Sequence, residues 1–277
     1  MTTGDPFDER SILLTDRVAI VTGAAQGIGR ATARLFARCG AAVAICDREA
    51  GLLAEATAEI EAMGRPVLSA ELDVRDAEAV DRFVESVAAR FDRVDVLVNN
   101  AGGTFVAPFL DISPKGEASL IAENFTQVTH FIRRVAPLMT HGGSIINLTS
   151  IEAHQAGPGF SIYAAMKTAV MSLSQTLALE LGGRRIRVNA IASDCQPSDG
   201  EKETREEMLS TEMEYIPAFL PPLGYFATPE ESAGAALFLA SDLSRFITGT
   251  TLHVDGGNKA AGGWHRPVDP TAMHEDL

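Results

Sequence analysis

Tyr163 and Lys167 stand four residues apart in Tyr-Ala-Ala-Met-Lys, and Ser150 lies thirteen residues upstream of the tyrosine. On a helix, residues i and i+4 share one face, with Cβ atoms about 5–6 Å apart. An ammonium that close favours the phenolate over the phenol. The trio could therefore move a proton and steady the oxygen that carries it. A Tyr-x-x-x-Lys spacing taken alone is also what a solvated surface helix carries. The rest of the chain decides between the two readings.

An apolar, β-forming run from Arg17 to Val21 leads straight into Thr22-Gly23-Ala24-Ala25-Gln26-Gly27-Ile28-Gly29. A helical pattern with Ala31, Leu35 and Ala37 follows from Arg30 to Arg38. Strand, glycine turn and helix in that order form the context of a dinucleotide-binding loop. The glycines let the backbone turn tightly and approach a pyrophosphate, whose charge then faces the helix N-terminus. The spacing is G-x-x-x-G-x-G rather than G-x-G-x-x-G. A second strand ends at Asp47, about 20 residues beyond the loop, where a carboxylate can accept hydrogen bonds from adenosine ribose hydroxyls. The same carboxylate would repel the 2′-phosphate of NADP. Neutral Gln26 stands where a basic residue would help to hold that phosphate. Both features favour NAD, whereas Arg48 could swing toward a phosphate. One lysine is too little to make a phenol reactive near neutral pH, so a second positive charge is expected there. A nicotinamide ring would provide it.

These residues together resemble the short-chain dehydrogenase/reductase family, over about Leu14 to Gly257. Thr22-Gly-x-x-x-Gly-Ile-Gly29 is similar to its coenzyme loop, and Leu72-Asp73-Val74 to the segment bracketing the adenine. Asn99-Asn100-Ala101-Gly102 resembles the turn after strand four, which lines the coenzyme. Asn124 matches the catalytic asparagine, and Gly143 to Ser150 matches the strand ending in the catalytic serine. Tyr163 and Lys167 match the catalytic pair. Arg187 to Ile191, Pro229-Glu230-Glu231, Ile247-Thr248-Gly249 and Val254 to Gly257 match later segments. One loop departs: the family continues Asn-Ala-Ile with alanine and then Pro-Gly, whereas Ala192-Ser193-Asp194-Cys195-Gln196-Pro197-Ser198 stands here. Backbone contacts to a carboxamide are still expected near Gln196. Asp194 puts a negative charge beside the nicotinamide position.

The bulk composition narrows the partners. With 23 Lys and Arg against 37 Asp and Glu, the formal net charge is −14. Nucleic acid and anionic membrane surfaces both select for cations, so neither is expected as a partner. An acidic carrier protein is also disfavoured by long-range repulsion. Arg184, Arg185 and Arg187 could form a local docking patch, although a solvated edge leading into a strand fits them better. Cys39, Cys46 and Cys195 are odd in number and lack metal spacing, which fits a reduced, cytoplasmic setting. Six scattered histidines make no zinc pattern, and no metal is expected. The acidic N-terminus lacks the apolar stretch of a signal peptide.

Length and alternation set the architecture. A chain of 277 residues suits one large α/β domain. Strands are predicted at 18–22, 41–47, 67–73, 94–98, 143–149, 186–192 and 250–254. Helices are predicted near 27–39, 49–63, 76–91, 114–140, 160–182, 200–216 and 229–240. That pattern gives a Rossmann-like, doubly wound parallel sheet of about seven strands, with helices on both faces and the ligand at the carboxyl ends of the strands. An N-terminal arm is expected at 1–13, the main domain at 14–257 and a tail at 258–277 containing Trp264. The stretch 194–226 turns from polar to apolar, with Tyr215, Phe219, Tyr225 and Phe226. It reads as a lid over a lipophilic substrate such as a steroid, terpenoid or acyl derivative.

The resemblance implies reversible hydride transfer between NAD and a secondary alcohol or ketone. Catalytic residues would be Asn124, Ser150, Tyr163 and Lys167. Coenzyme contacts would come from Gly23, Gln26, Gly27, Ile28, Gly29, Asp47, Asp73, Val74, Asn100, Ala101, Gly102, Tyr163, Lys167 and Gln196. It also implies a homotetramer, built through the two long helices at about 114–140 and 160–182. The alternatives are a 3-oxoacyl-thioester reductase using NADPH and, from another class, a nucleotide-binding regulator without catalysis.

Overall fold

The alternating pattern resolves into seven parallel strands in the computed structural model, which describes residues 7–194, 196 and 221–262. They are β1 (Val18–Thr22), β2 (Ala42–Asp47), β3 (Val67–Glu71), β4 (Val96–Asn99), β5 (Gly143–Ser150), β6 (Ile186–Ser193) and β7 (Thr251–Val254). Their order across the sheet is β3-β2-β1-β4-β5-β6-β7. All residues of β1 and β4 are buried. Parallel strands covered on both faces read as unbroken apolar runs, which is how Val18 to Thr22 reads. The order reverses between β1 and β4, so the loops that follow them diverge and open a crevice at the strand carboxyl ends. The expected fold class is the one observed.

Helices cover both faces. They are α1 (Gly27–Arg38), α2 (Ala50–Ala62), α3 (Ala77–Phe91), α4 (Pro114–Ile121), α5 (Gln127–Val135), α6 (Ser161–Gly182) and α7 (Pro229–Ala240). Their starts follow local chemistry. Asp76 caps α3 by accepting from the N–H groups of Glu78 and Ala79. Ser113 caps α4, whose first turn carries Pro114, where proline's missing N–H loses nothing. Thr228 and Glu231 form a reciprocal capping box on α7. One layer of core gathers Phe36, Ile45, Ile60 and Val98. The opposite layer gathers Phe83, Leu97, Phe131 and Ile145.

The expected single helix over 114–140 is not one helix. A π-helical turn, Ala122–Thr126, separates α4 from α5, and a 3-10 turn, Ala136–Leu138, follows. The cause of the first break is Asn124, whose Nδ2 donates to the carbonyl of Leu120 at 3.0 Å. A side chain inserted into the ladder widens the turn. Pro137 cannot donate a backbone hydrogen bond, so α5 ends just before it. The expected helix at 200–216, most of the stretch 194–226 and the tail beyond 262 lie outside the described residues.

Two of the three arginines near β6 hold backbone carbonyls. Arg187 is half-buried against carbonyls, donating to Leu239 at 2.6 Å and more weakly to Ile247. Arg184 donates to the carbonyl of Ala136 at 2.8 Å. Cys46 is fully buried, and burial pushes its thiol well above the usual range.

A buried polar relay ties the sheet to α6. Asn99 Nδ2 donates to Asn147 Oδ1 at 2.7 Å, Asn147 Nδ2 to Ser174 Oγ at 2.9 Å, and Ser174 Oγ to the Val170 carbonyl at 2.8 Å. This fixes α6 against β4 and β5. Asn147→Ala would leave buried partners unpaired, a loss of about 1–3 kcal/mol. Chemical denaturation should show that drop, and an unchanged midpoint would mean that the relay contributes nothing.

Candidate active site

The glycine turn after β1 is shaped by what its Cβ atoms would strike. A Cβ on Gly29 would lie 2.0 Å from the carbonyl oxygen of Gly23, and Gly23 itself has φ +64° with Ala101 against it. Only glycine fits both positions. Asn100 staples the turn from the neighbouring strand end, donating from Nδ2 to the carbonyls of Thr22 and Gly23 at 3.0 and 2.9 Å. Thr22 Oγ1 accepts from the N–H groups of Asn100 and Ala101 at 3.0 Å each. The N-terminus of α1 then opens with no side-chain cap and no acidic residue in its first turn. Such a helix end leaves N–H donors and a partial positive charge for an anion.

Asp47 closes the next strand. Its carboxylate accepts from the N–H of Ala25 at 2.9 Å and of Glu49 at 3.1 Å. Arg48, beside it, lies within ion-pair distance of Glu49 and Glu123, at 3.5 and 3.6 Å. Asp73 pairs with Arg75 at 2.5 Å, and that guanidinium holds its carboxyl below the usual range. A cavity of about 740 Å³ runs from these groups to the far side of the crevice.

Ser150 ends β5 at that far side, and Tyr163 and Lys167 rise from the start of α6. Three strand spacings separate β2 from β5, so Asp47 and Ser150 stand ~14 Å apart across the sheet. Tyr163 is the third residue of α6, and that helix start has no side-chain cap. The positive end of the helix therefore adds to the field of the lysine. Lys167 Nζ sits 5.4 Å from the centroid of the Tyr163 ring. It donates to the carbonyl of Leu148 at 3.1 Å. Lys167 is only 5 % exposed. Burial pulls its ammonium down to about 8, with Glu123 and Glu152 opposing the fall. Gly102 makes room for this packing: a Cβ there would lie 2.9 Å from Asn124 Oδ1 and 3.1 Å from Lys167 Nζ.

The cavity brings together nearly every residue singled out in the sequence. Gly23, Gln26, Gly27, Ile28, Asp47, Asp73, Val74, Asn100, Ala101, Gly102, Ser150, Tyr163, Lys167 and Gln196 all line it. Gly29 and Asn124 do not. Gly29 supports the turn from beneath, and Asn124 stands behind Gly102, donating to the Gly103 carbonyl at 2.8 Å. Gln196 is buried and donates to Ser232 Oγ at 2.5 Å, which ties the loop after β6 to α7. Cys195, Pro197 and Ser198 lie outside the described residues.

Sequence reasoning missed Glu123 and Glu152, both of which line the cavity. Glu123 immediately precedes Asn124, and Glu152 follows Ser150 by two, so their neighbours were the available signal. Among the described residues, no three His, Cys, Asp or Glu side chains gather into a metal-binding group. No described helix is long and apolar enough to cross a membrane.

Comparisons with known proteins agree with this geometry. The family model described as enoyl-(acyl carrier protein) reductase matches residues 23–259. A 3-oxoacyl-(acyl-carrier-protein) reductase FabG of Thermotoga maritima is 37 % identical over 246 residues, covering 88 % of this chain and 98 % of the relative. An L-rhamnose 1-dehydrogenase (NAD(P)(+)) of Azotobacter vinelandii is 37 % identical over 260 residues, covering 89 % and 98 %. The crystal structure of carveol dehydrogenase from Mycobacterium avium in complex with NAD superimposes with a TM-score of 0.82 at 30 % identity, covering 88 % of this chain and 98 % of that one.

A desolvated ammonium should leave a stability signature. The unfolded lysine keeps its proton up to the ordinary lysine range, while the folded one loses it near 8. Between those values the unfolded state binds more protons, so stability rises with pH there. At neutral pH the burden is on the order of 3 kcal/mol. Coenzyme-free Lys167→Met should therefore melt higher than the parent protein at pH 7, by a margin that narrows toward pH 10. A variant less stable than the parent at pH 7 would show that the lysine is not desolvated.

Proposed function

The chain belongs to the short-chain dehydrogenase/reductase family of oxidoreductases, and on that premise we propose that it transfers hydride between NAD(H) and a secondary alcohol or ketone. The observation that carries the proposal is the convergence of Ser150, Tyr163 and Lys167 on one cavity whose other reach is formed by the glycine turn and Asp47. The residues present fit a dinucleotide. The bare start of α1, cleared by Gly23, Gly27 and Gly29, would take the pyrophosphate. Asp47 and Asp73 would flank the adenosine half, and Asn100, Ala101, Gly102 and Lys167 the nicotinamide half. A bound nicotinamide would supply the hydride acceptor or donor.

The protein's own residues handle the oxygen and its proton. Tyr163, as phenolate, takes the hydroxyl proton in oxidation and returns it in reduction. Lys167 and the start of α6 stabilise that phenolate. Ser150 hydrogen-bonds the substrate oxygen as its charge develops. Asn124 acts from behind Gly102, setting the backbone at Gly103 and holding the π-turn open. The hydride chemistry belongs to the coenzyme, while the site supplies placement and electrostatics.

Asp47 supports NAD over NADP, because its carboxylate stands where a 2′-phosphate would need a cation. The ion pairing of Arg48 with Glu49 and Glu123 further engages the arginine beside Asp47 that could have offered that cation. A second reading, reduction of a 3-oxoacyl thioester with NADPH, draws on the name of the Thermotoga relative. Pro221, Leu223, Tyr225 and Phe226 border a second cavity of about 490 Å³ next to Asp194. They support a substrate with an apolar portion, the lipophilic alcohol expected from the sequence. Leu179 on α6 is 84 % exposed and supports self-association through that helix, in a homotetramer.

Tyr163→Phe should lower kcat by at least 10²-fold, the scale of a lost acid–base group, while NAD still binds with its original affinity. Near-normal turnover by this variant would refute the mechanism. Titrating both coenzymes with a panel of steroid, terpene, aliphatic and hydroxyacyl alcohols should show a lower KM for NAD. A preference for NADPH with 3-oxoacyl thioesters would establish the second reading instead.

A further inference from the structure

Ser150 is already engaged. Its Oγ–H donates to Glu152 Oε2, and the N–H of Glu152 points back at Ser150 Oγ at 3.4 Å. Glu152 lines the same cavity as Ser150, Tyr163 and Asp194. Its position is fixed from several sides. It sits in a 3-10 turn, Ile151–Ala153, whose Ile151 is buried. The Ala153 carbonyl accepts from Thr168 Oγ1 on α6 at 3.3 Å. His154 meets His253 of β7, with their Nε2 atoms 3.1 Å apart. Gly157 leaves space for the Glu152 stem, since a Cβ there would lie 3.2 Å from its Cγ. The carboxylate is thus preorganised beside the hydroxyl that must hold the reacting oxygen.

That arrangement sets a problem of hydrogen-bond supply. A serine hydroxyl has one proton to give, and a carboxylate only accepts. While that proton goes to Glu152, Ser150 has none for the substrate oxygen. A second hydroxyl on the carbon next to the carbinol would donate to Glu152 in the serine's place. Ser150 could then donate to the reacting oxygen. Gauche oxygens of a vicinal diol lie about one hydrogen-bond length apart, close enough for one to meet Ser150 Oγ while the other meets the neighbouring carboxylate. A monoalcohol offers no such second donor.

We propose that Glu152 is a specificity-determining residue that selects vicinal diols, and their α-hydroxy ketone products, over simple alcohols. The proposal rests on the hydride-transfer reading above and names its substrate class. In oxidation the carbinol C–H bond breaks and its electron pair and hydrogen pass to the oxidised nicotinamide coenzyme. The O–H proton goes to Tyr163, and the C=O bond forms. The neighbouring hydroxyl stays intact and keeps its hydrogen bond to Glu152. The groups that face this carboxylate are Ser150 on β5, Lys167 and Tyr163 on α6, and Asp194 after β6. Burial pushes the Glu152 carboxyl up and Asp194 adds to the rise, while Ser150 and Lys167 oppose it.

The test compares 2,3-butanediol with 2-butanol, and trans-1,2-cyclohexanediol with cyclohexanol, using NAD and the full-length chain. The parent protein should show kcat/KM at least 10-fold higher for each diol than for its monoalcohol. The ratio should rise with pH as Glu152 ionises. Glu152→Leu should bring the ratio to about 1, by freeing the Ser150 proton for the monoalcohols as well as by removing the diols' second acceptor, with an unchanged NAD dissociation constant in a fluorescence titration. Glu152→Gln, which keeps an accepting oxygen and the side-chain volume, should give an intermediate ratio and guards against misfolding of the leucine variant. Equal turnover of diols and monoalcohols by the parent protein would overturn the diol proposal while leaving hydride transfer standing. So would an equal loss on both classes in Glu152→Leu. Faster turnover of 3-amino-2-butanol than of the diol would also overturn it, in favour of an ammonium donor. A parent protein with bound NAD that turns over neither class, no faster than Tyr163→Phe, would instead sink the hydride-transfer reading itself.

Discussion

An ammonium almost stripped of water is the constraint around which the cavity is organised. Lys167 must stay charged beside Tyr163 to favour the phenolate, yet burial favours its neutral form. Two acids at the cavity wall, Glu123 and Glu152, recover part of the difference. The carbonyl of Leu148 accepts a hydrogen bond from it. The missing side chain of Gly102 lets the lysine approach the strand end at all. None of these devices removes the desolvation burden. On the proposed mechanism, the site keeps a destabilised group because the chemistry needs it, a common exchange of stability for function.

Holding that group still falls to the sheet. Tyr163 and Lys167 share one face of a 22-residue helix, α6, which is anchored to β4 and β5 by the buried asparagine–serine relay. The Lys167 carbonyl also accepts from Thr149 Oγ1 at 2.8 Å, one residue from Ser150. The hydroxyl, the phenol and the ammonium are therefore fixed to one rigid block rather than to loops. The end proposed for the coenzyme is built separately, from the turn after β1 and the end of β2. The reversal of strand order between β1 and β4 is what leaves a crevice joining the two.

Much of this was legible in the chain because the signals are local. The Gly23 to Gly29 turn, Asp47 at a strand end and the Tyr163–Lys167 spacing each need only a few adjacent residues to be read. The failures are the features that depend on tertiary contact. Asn124 opens a π-turn because its side chain reaches the Leu120 carbonyl, and no helical periodicity shows that. Arg187 reads as a surface cation until α7 and the segment after it supply the carbonyls that hold it. Glu152 carries no motif. Its meaning comes from lying against Ser150 inside a cavity that the linear order does not display.

The departure at Ser193-Asp194 can be weighed on the same terms. Serine and an acid in place of the family's proline and glycine look at first like a charge thrust at the expected nicotinamide position. In the fold, the Asp194 N–H donates to the carbonyl of Val254 at 3.1 Å, extending the pairing of β6 with β7 by one step. Its carboxylate accepts a close hydrogen bond from Asn258 Nδ2. The side chain thus ties the loop after β6 to the turn that follows β7, a role the family's glycine at this position cannot fill, since it offers the N–H but no carboxylate. Asp194 still borders both cavities, and its field raises the neighbouring Glu152. The substitution has put an acidic, hydrogen-bonded strut at the end of the crevice that holds Ser150 and Tyr163. On the proposed reading that end presents two carboxylates to the substrate, and hydroxyl groups are the neutral partners that would satisfy them.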